Sequence, residues 1–248
     1  MMNNQQGIGL PELLIALFLA SITLLTLMRH YLHSKQQVHH IKTVLEQSIE
    51  LQLVTDLIRD SSRRAGFSPC SGIEHLKTTD RRHAPKKLVA IEINLGSKPS
   101  LQINRMSEHF VSVLQILGPV DVLIAYNETL NRDHPILIAD CYHAEVHEIS
   151  QVRHTAAGQI ITLNQSLAFR YYAPIYMGAW MEEAYFIHAK PNSKSSLFYR
   201  LHHAEELTTF VHTLSARMEK HQGKTLLQVI LGLENAQQLT IETQVRTR

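Results

Sequence analysis

The sequence predicts an α+β chain, with a long N-terminal helix packed on a mainly antiparallel β-sheet domain. Three observations carry that class. From Ile8 to Met28 the chain is almost wholly apolar for 21 residues, and Glu12 is the one charge in it. From Val38 to Leu57 apolar residues recur at three- and four-residue steps, and no Gly or Pro interrupts Gln36 to Ala65. After Cys70 the pattern changes to short β-prone runs separated by turn residues.

Composition bounds the rest. The 248 residues suffice for one large domain or two small ones. A net charge of +2 gives no reason to expect a nucleic-acid partner, and 44% hydrophobic against 19% charged residues describes an ordered protein. The two cysteines, Cys70 and Cys141, form no CxxC, which argues against a zinc ribbon or a redox motif.

The apolar run comes first. About 20 apolar residues cross a bilayer, and 8–28 is long enough. A secretory signal peptide needs a basic leader and a shorter apolar core. MMNNQQG has no Lys or Arg, so a plain signal anchor is the simpler alternative. Pro11 is tolerated only in a first turn, where its missing N–H has no partner to lose, so the helix is expected to start near Ile8. Glu12 then lies near the positive end of the helix dipole, worth about 0.3–1 kcal/mol. That does not offset the roughly 2.5–3.5 kcal/mol of a carboxylate at mid-bilayer. Such an acid needs a partner, and a new N-terminal amine, its own or a neighbour's, is the expected one.

Gly7, then apolar Ile8, Leu10 and Glu12 before the long apolar run, resembles the processing site of type IV pilins and pseudopilins. The resemblance implies that a prepilin peptidase cuts after Gly7 on the cytoplasmic side and methylates the amine of Ile8. It also implies that Glu12 pairs with the terminal amine of an adjacent subunit. The sequence departs from that pattern in having Ile8 where Phe is usual, and in its uncharged leader.

The next elements fit such a subunit. Val38, Ile41, Leu45, Ile49, Leu53 and Leu57 mark an amphipathic helix that Gly66 is placed to stop. A helix from Ile8 to Arg64 would be roughly 85 Å long. Strands are expected at Leu88–Leu95, Val122–Tyr126, Ile136–Ala139, Ile160–Leu163, Ala184–His188, Leu197–Leu201, Leu226–Leu231 and Leu239–Val245. Gly96, Pro99, Gly118, Pro119, Asn131, Gly158, Asn164, Pro191 and Asn192 supply the breaks. Ala204–His221 reads as the one later helix.

Three segments narrow the resemblance to PilW-type minor pilins: DLIRDSSRRAGFSPC (Asp56–Cys70), LIADCYHAEVHEI (Leu137–Ile149) and AYFIHAKPNSKSSLFYRLHHAEEL (Ala184–Leu207). J-type pseudopilins of type II secretion systems share the fold and N-terminus and are the alternative within the class. The resemblance implies an exported domain in an oxidising compartment. Cys70 and Cys141 are then expected to form a disulfide, closing a loop worth roughly 4 kcal/mol. Two free buried thiols are the alternative.

Nothing in the sequence points to catalysis. HExxH, Gly-x-Ser-x-Gly, a P-loop and Gly-x-Gly-x-x-Gly are all missing. Cys141, His143, Glu145 and His147 would alternate onto one strand face, and thiolate with imidazole suits zinc. Adjacent side chains on a strand splay too far for all four to reach one ion, so no metal and no cofactor is expected. Of the 16 histidines, His39–His40, His202–His203 and His30 with His33 are expected on solvated or interfacial faces.

The resemblance therefore implies a cytoplasmic leader (1–7), a transmembrane helix half (8–28), a periplasmic amphipathic helix half (29–65) and a β-rich globular periplasmic domain (66–248). The expected protein is a non-enzymatic minor pilin of the bacterial inner membrane, then of the pilus. Its expected partners are other minor pilins, the major pilin and a prepilin peptidase. A signal-anchored periplasmic enzyme is the reading from a different class.

Overall fold

The computed structural model describes residues 9–96, 98–132, 134–189, 195–221 and 224–245. Gly7 and Ile8, with the leader, lie outside them, as do Pro191 and Asn192. The chain divides into two compact units, 1–50 and 51–248.

One helix, α1 (Leu10–Arg63), supplies the whole described part of the first unit after Gly9. It is long and apolar enough to cross a membrane. The hydroxyls of its apolar stretch are satisfied within it. Ser21 donates to the carbonyl of Phe18 at 2.8 Å, Thr23 to Ala20 at 2.9 Å and Thr26 to Thr23 at 2.9 Å. Hydroxyls bonded back to the preceding turn leave no unpaired donor, which an apolar surrounding requires. His30, His33, His39 and His40 are exposed, as expected.

In the second unit the end of α1 buries Val54, Ile58, Ser61 and Ser62. This is not the stripe read from the sequence. Leu53 stays 65% exposed, and Val38, Ile41, Leu45 and Ile49 are exposed with it. Two apolar stripes run side by side here, and periodicity alone does not rank them. Val54 and Ile58, one turn apart, face the core. Gly66 follows the helix at φ +69°, a backbone conformation that glycine adopts without strain. A Cβ there would also lie 2.9 Å from that of Ala90.

Fourteen strands follow among the described residues. They are β1 (Lys77–Asp80), β2 (Ile91–Asn94), β3 (Ser100–Ile116), β4 (Asp121–Ile124), β5 (Ile136–Ala139), β6 (His143–His147), β7 (Ile149–Thr155), β8 (Gly158–Leu163), β9 (Tyr176–Ala189), β10 (Ser195–Arg200), β11 (Ala204–Thr208), β12 (Val211–His221), β13 (Lys224–Leu233) and β14 (Gln238–Gln244). The larger sheet runs β1-β6-β5-β9-β3-β4-β8-β7, with β2 also on β3 and β10 joining β9 to β11. The smaller sheet is β12-β13-β14. All the pairings are antiparallel except β1 with β6. The α+β class with a mainly antiparallel sheet is therefore as expected.

β3 and β9 are the long members, at 17 and 14 residues. Their register shifts between Met106 and Phe110. Gly178 sits opposite, where a Cβ would come within 3.1 Å of both side chains. One core joins the end of α1, β3, β9 and the smaller sheet; the other lies among β4, β5, β8 and β9.

The expected helix over Ala204–His221 is corrected to β11 and β12. Glu205, Glu206, Arg217, Met218 and Glu219 favour a helix in isolation. The segment instead pairs with β10 and β13. Leu214 and Ala216 alternate into the core, and pairing with burial overrides local propensity.

A buried polar cluster joins the helix end to the sheet. Glu183 on β9 accepts from Arg105 Nε on β3 at 2.8 Å and from Ser61 Oγ on α1 at 2.5 Å. The Tyr185 hydroxyl lies 2.9 Å from Ser61 Oγ. Burial, with the nearby Glu183 carboxylate, pushes the Tyr199 phenol up to about 12. Arg105→Met leaves Glu183 charged and without its cation, and is expected to cost about 3–5 kcal/mol in urea unfolding. Arg105→Met with Glu183→Gln should recover part of that loss; a double variant less stable than the single one would refute the pairing account.

Candidate functional site

The helix start is the first candidate. Leu10 is the first helical residue, Pro11 the second and Glu12 the third. Pro11 thus falls in the first turn, where its lack of an N–H is harmless. Glu12 Oε2 accepts the N–H of Gly9 at 2.6 Å. That is the reach of a third-position acid back to the residue before the helix. A Cβ on Gly9 would lie 3.0 Å from Oε2, so the missing side chain gives the carboxylate room. The sequence expectation gave Glu12 a terminal amine as partner; within one chain its partner is a backbone amide. Gly7 and Ile8, the expected cleavage and methylation residues, lie outside the described residues.

The second candidate is covalent. Cys70 and Cys141 form a disulfide with a Cα–Cα distance of 5.1 Å and a sequence separation of 71. Cys70 lies just past the end of α1, and Cys141 lies in the turn between β5 and β6. The bond ties the helix end to the sheet, as the sequence suggests. It also removes Cys141 from any thiolate ligand set with His143, Glu145 and His147.

Those three residues do other work, with Asp140. Glu145 is fully buried. It accepts the backbone N–H of Ala168 at 2.9 Å and the hydroxyl of Tyr171 at 2.7 Å. His147 Nε2 lies 3.0 Å from its other side. Burial opposes ionisation of Glu145, but His147, Tyr171 and the Ala168 amide outweigh it and hold the carboxyl below its ordinary range. Burial and the adjacent Glu145 charge push the Tyr171 phenol far up, so it stays a donor.

Asp140, also fully buried, accepts the amides of Tyr142 at 2.7 Å, His143 at 2.6 Å and Tyr172 at 2.9 Å. Burial again opposes its charge, and those three amides lower its pKa despite it. His143 Nδ1 lies 3.4 Å from Asp140 Oδ2, and the ring stacks on Phe169 at 4.9 Å.

Two buried carboxylates thus pin the irregular segment 164–175, at Ala168 and Tyr171 through Glu145 and at Tyr172 through Asp140. The sequence reading missed this use of Asp140 and Glu145. One available signal was the Asp-Cys-Tyr-His order, since an Asp side chain can accept amides two and three residues on.

Two predictions follow from these bonds. Cys70→Ser is expected to lower stability by roughly 2–5 kcal/mol. Cys141→Ser should match it and the double variant should be no worse; two reactive thiols in the unreduced, denatured chain would contradict the bond. Glu145→Gln is expected to lose roughly 1.5–3 kcal/mol at pH 7. Because the folded pKa of Glu145 is lowered, its contribution is present above the ordinary carboxyl value near 4.3 and is lost as pH falls through the folded value. The gap in urea midpoint between wild type and variant should therefore hold from pH 7 to about 5 and shrink below about 4; a gap that widens toward acid would reverse the assignment.

Comparisons of this chain with known protein families, with characterised proteins and with solved structures return no match, so its functional reading rests on its own residues.

Proposed function

We propose that this chain is a minor pilin, a non-catalytic structural subunit of a type IV pilus. A prepilin peptidase cuts it between Gly7 and Ile8 and methylates the Ile8 amine. The N-terminal helix holds the subunit in the bacterial inner membrane with the sheet domain in the periplasm. Together with other minor pilins it primes assembly and enters the filament at or near its tip, next to the major pilin.

The observation that carries this reading is the setting of Glu12. A carboxylate stands in the first turn of a helix whose apolar side chains from Leu10 to Ile49 are all exposed in the single chain. A helix that merely anchors gains from that charge only a cap and a dipole contribution of about 0.3–1 kcal/mol, less than membrane insertion costs. In a bundle of such helices an unpaired charge costs several kcal/mol, and pairing with a neighbour's terminal amine removes the penalty and sets axial register. The bond from Gly9 to Glu12 uses one carboxylate oxygen, which leaves the other for that amine. The exposed stripe of Val38, Ile41, Leu45, Ile49 and Leu53 gives neighbouring subunits an apolar face to cover.

Two measurements test the reading. Mass spectrometry of the N-terminal peptide from membrane or filament fractions should find a chain that begins at methylated Ile8; one that begins at Met1, or after Ala20, contradicts it. Glu12→Ala and Glu12→Gln should both insert in the membrane and be cleaved, yet co-purify poorly with sheared pili. Gln can still accept the Gly9 amide, so its failure would isolate the charge from the helix cap. Assembly of both variants at wild-type level would return Glu12 to a local capping role.

A further inference from the structure

An open cleft of about 640 Å³ lies beside the disulfide, within the size range of small-molecule sites. The segment His75–Lys77, the turn Cys141–His143 and Tyr172 line it. Its base is held together by the Cys70–Cys141 bond, by the parallel pairing of Lys77 with His143, and by the Lys77 amide, which donates to the Tyr142 carbonyl at 2.8 Å.

Three features of this cleft go together. First, the tyrosines keep their rings in solvent although both backbones are pinned. Tyr142 is 64% and Tyr172 55% exposed, and the rings meet edge to face at 6.4 Å. Both backbone amides are held by buried Asp140. A charge taken out of water is expensive, and here it fixes the backbone at two residues whose rings bury little themselves. Second, the lining carries Lys77 and two imidazoles but no carboxylate. The adjacent acid, Asp140, is buried and already engaged. Third, His143 Nδ1 lies 3.4 Å from Asp140 Oδ2, which occupies that nitrogen and leaves Nε2 to meet a ligand hydroxyl.

We propose that this cleft binds a sugar ring bearing a carboxylate, as in the uronic-acid units of an acidic polysaccharide. Because the two rings stand at 84° to one another, one of Tyr142 and Tyr172 offers its face to the C–H face of the sugar and the other walls its side. Lys77 pairs with the carboxylate, and His143 Nε2 takes a sugar hydroxyl. A plain anion uses only Lys77, and a neutral sugar makes every contact except the one to Lys77. The binding stands apart from the filament reading, since every residue involved belongs to the sheet domain.

The test is isothermal titration calorimetry of the full chain in a sugar-free detergent. Trigalacturonate is the probe, with maltotriose as the neutral sugar and citrate as the ringless anion. Trigalacturonate should bind at least tenfold more tightly than either. Lys77→Glu, Tyr142→Ala and Tyr172→Ala should each weaken it at least tenfold with an unchanged melting temperature, because all three side chains are exposed. No binding by the wild type, equal binding of maltotriose or citrate, or undiminished binding by the three variants would each overturn the assignment.

Discussion

The carboxylate of Glu183 is the joint on which the sheet domain is organised. It is buried on β9 where three elements meet, and the other two supply its partners, Arg105 from β3 and Ser61 from α1; the Tyr185 hydroxyl of β9 bonds Ser61 in turn. A charge in that position is tolerable only when its lone pairs are filled, so the three elements must be placed together or not at all. β3 and β9 in turn carry β2, β4, β5 and β10. The long strands therefore inherit their placement against the helix from one side chain, and the rest of the larger sheet inherits it from them.

Where a single stretch of chain determines its own structure, the sequence was readable. The apolar run and the uninterrupted helical pattern after it gave α1, and Gly66 marked its end one residue group past Arg63. The short apolar runs gave β4, β5, β8, β10, β13 and β14 in place. β3 was not foreseen because its apolar alternation is broken at Arg105–Met106 and again at His109–Phe110. Asn104 and Arg105 are nevertheless buried, since partners remote in sequence satisfy them. β12 failed for the opposite reason: its residues suit a helix alone and become a strand beside β13. The candidate residues divide in the same way. Glu12 and the cysteines were legible because their chemistry is conspicuous, whereas Asp140 and Glu145 act on a loop that lies 20 or more residues on, which no local pattern records.

That loop shows a second use of buried charge. Segment 164–175 has no regular structure, yet the amides of Asn164, Leu167, Ala168 and Tyr172 are held by the protein. Two carboxylates act as surrogate acceptors for N–H groups that a sheet ladder would otherwise take, and the Tyr171 hydroxyl adds a third tie. An irregular segment held in this way keeps its side chains in fixed positions without the stiffness of a strand, which suits a surface that presents aromatic rings.

The disulfide has a mechanical meaning as well as a thermodynamic one. A pull delivered along α1 leaves the helix at Arg63 and reaches Cys70 within a few residues. From there the covalent bridge carries tension straight to the β5–β6 turn and bypasses everything between the cysteines. The 71-residue separation they span corresponds to roughly 240 Å of extended chain. With the bridge intact none of that length can be paid out, and β1 to β5 are shielded from a force that would otherwise peel them from the sheet one after another. Under such a pull the bond would act as a strain limiter, placed where the helix hands over to the sheet.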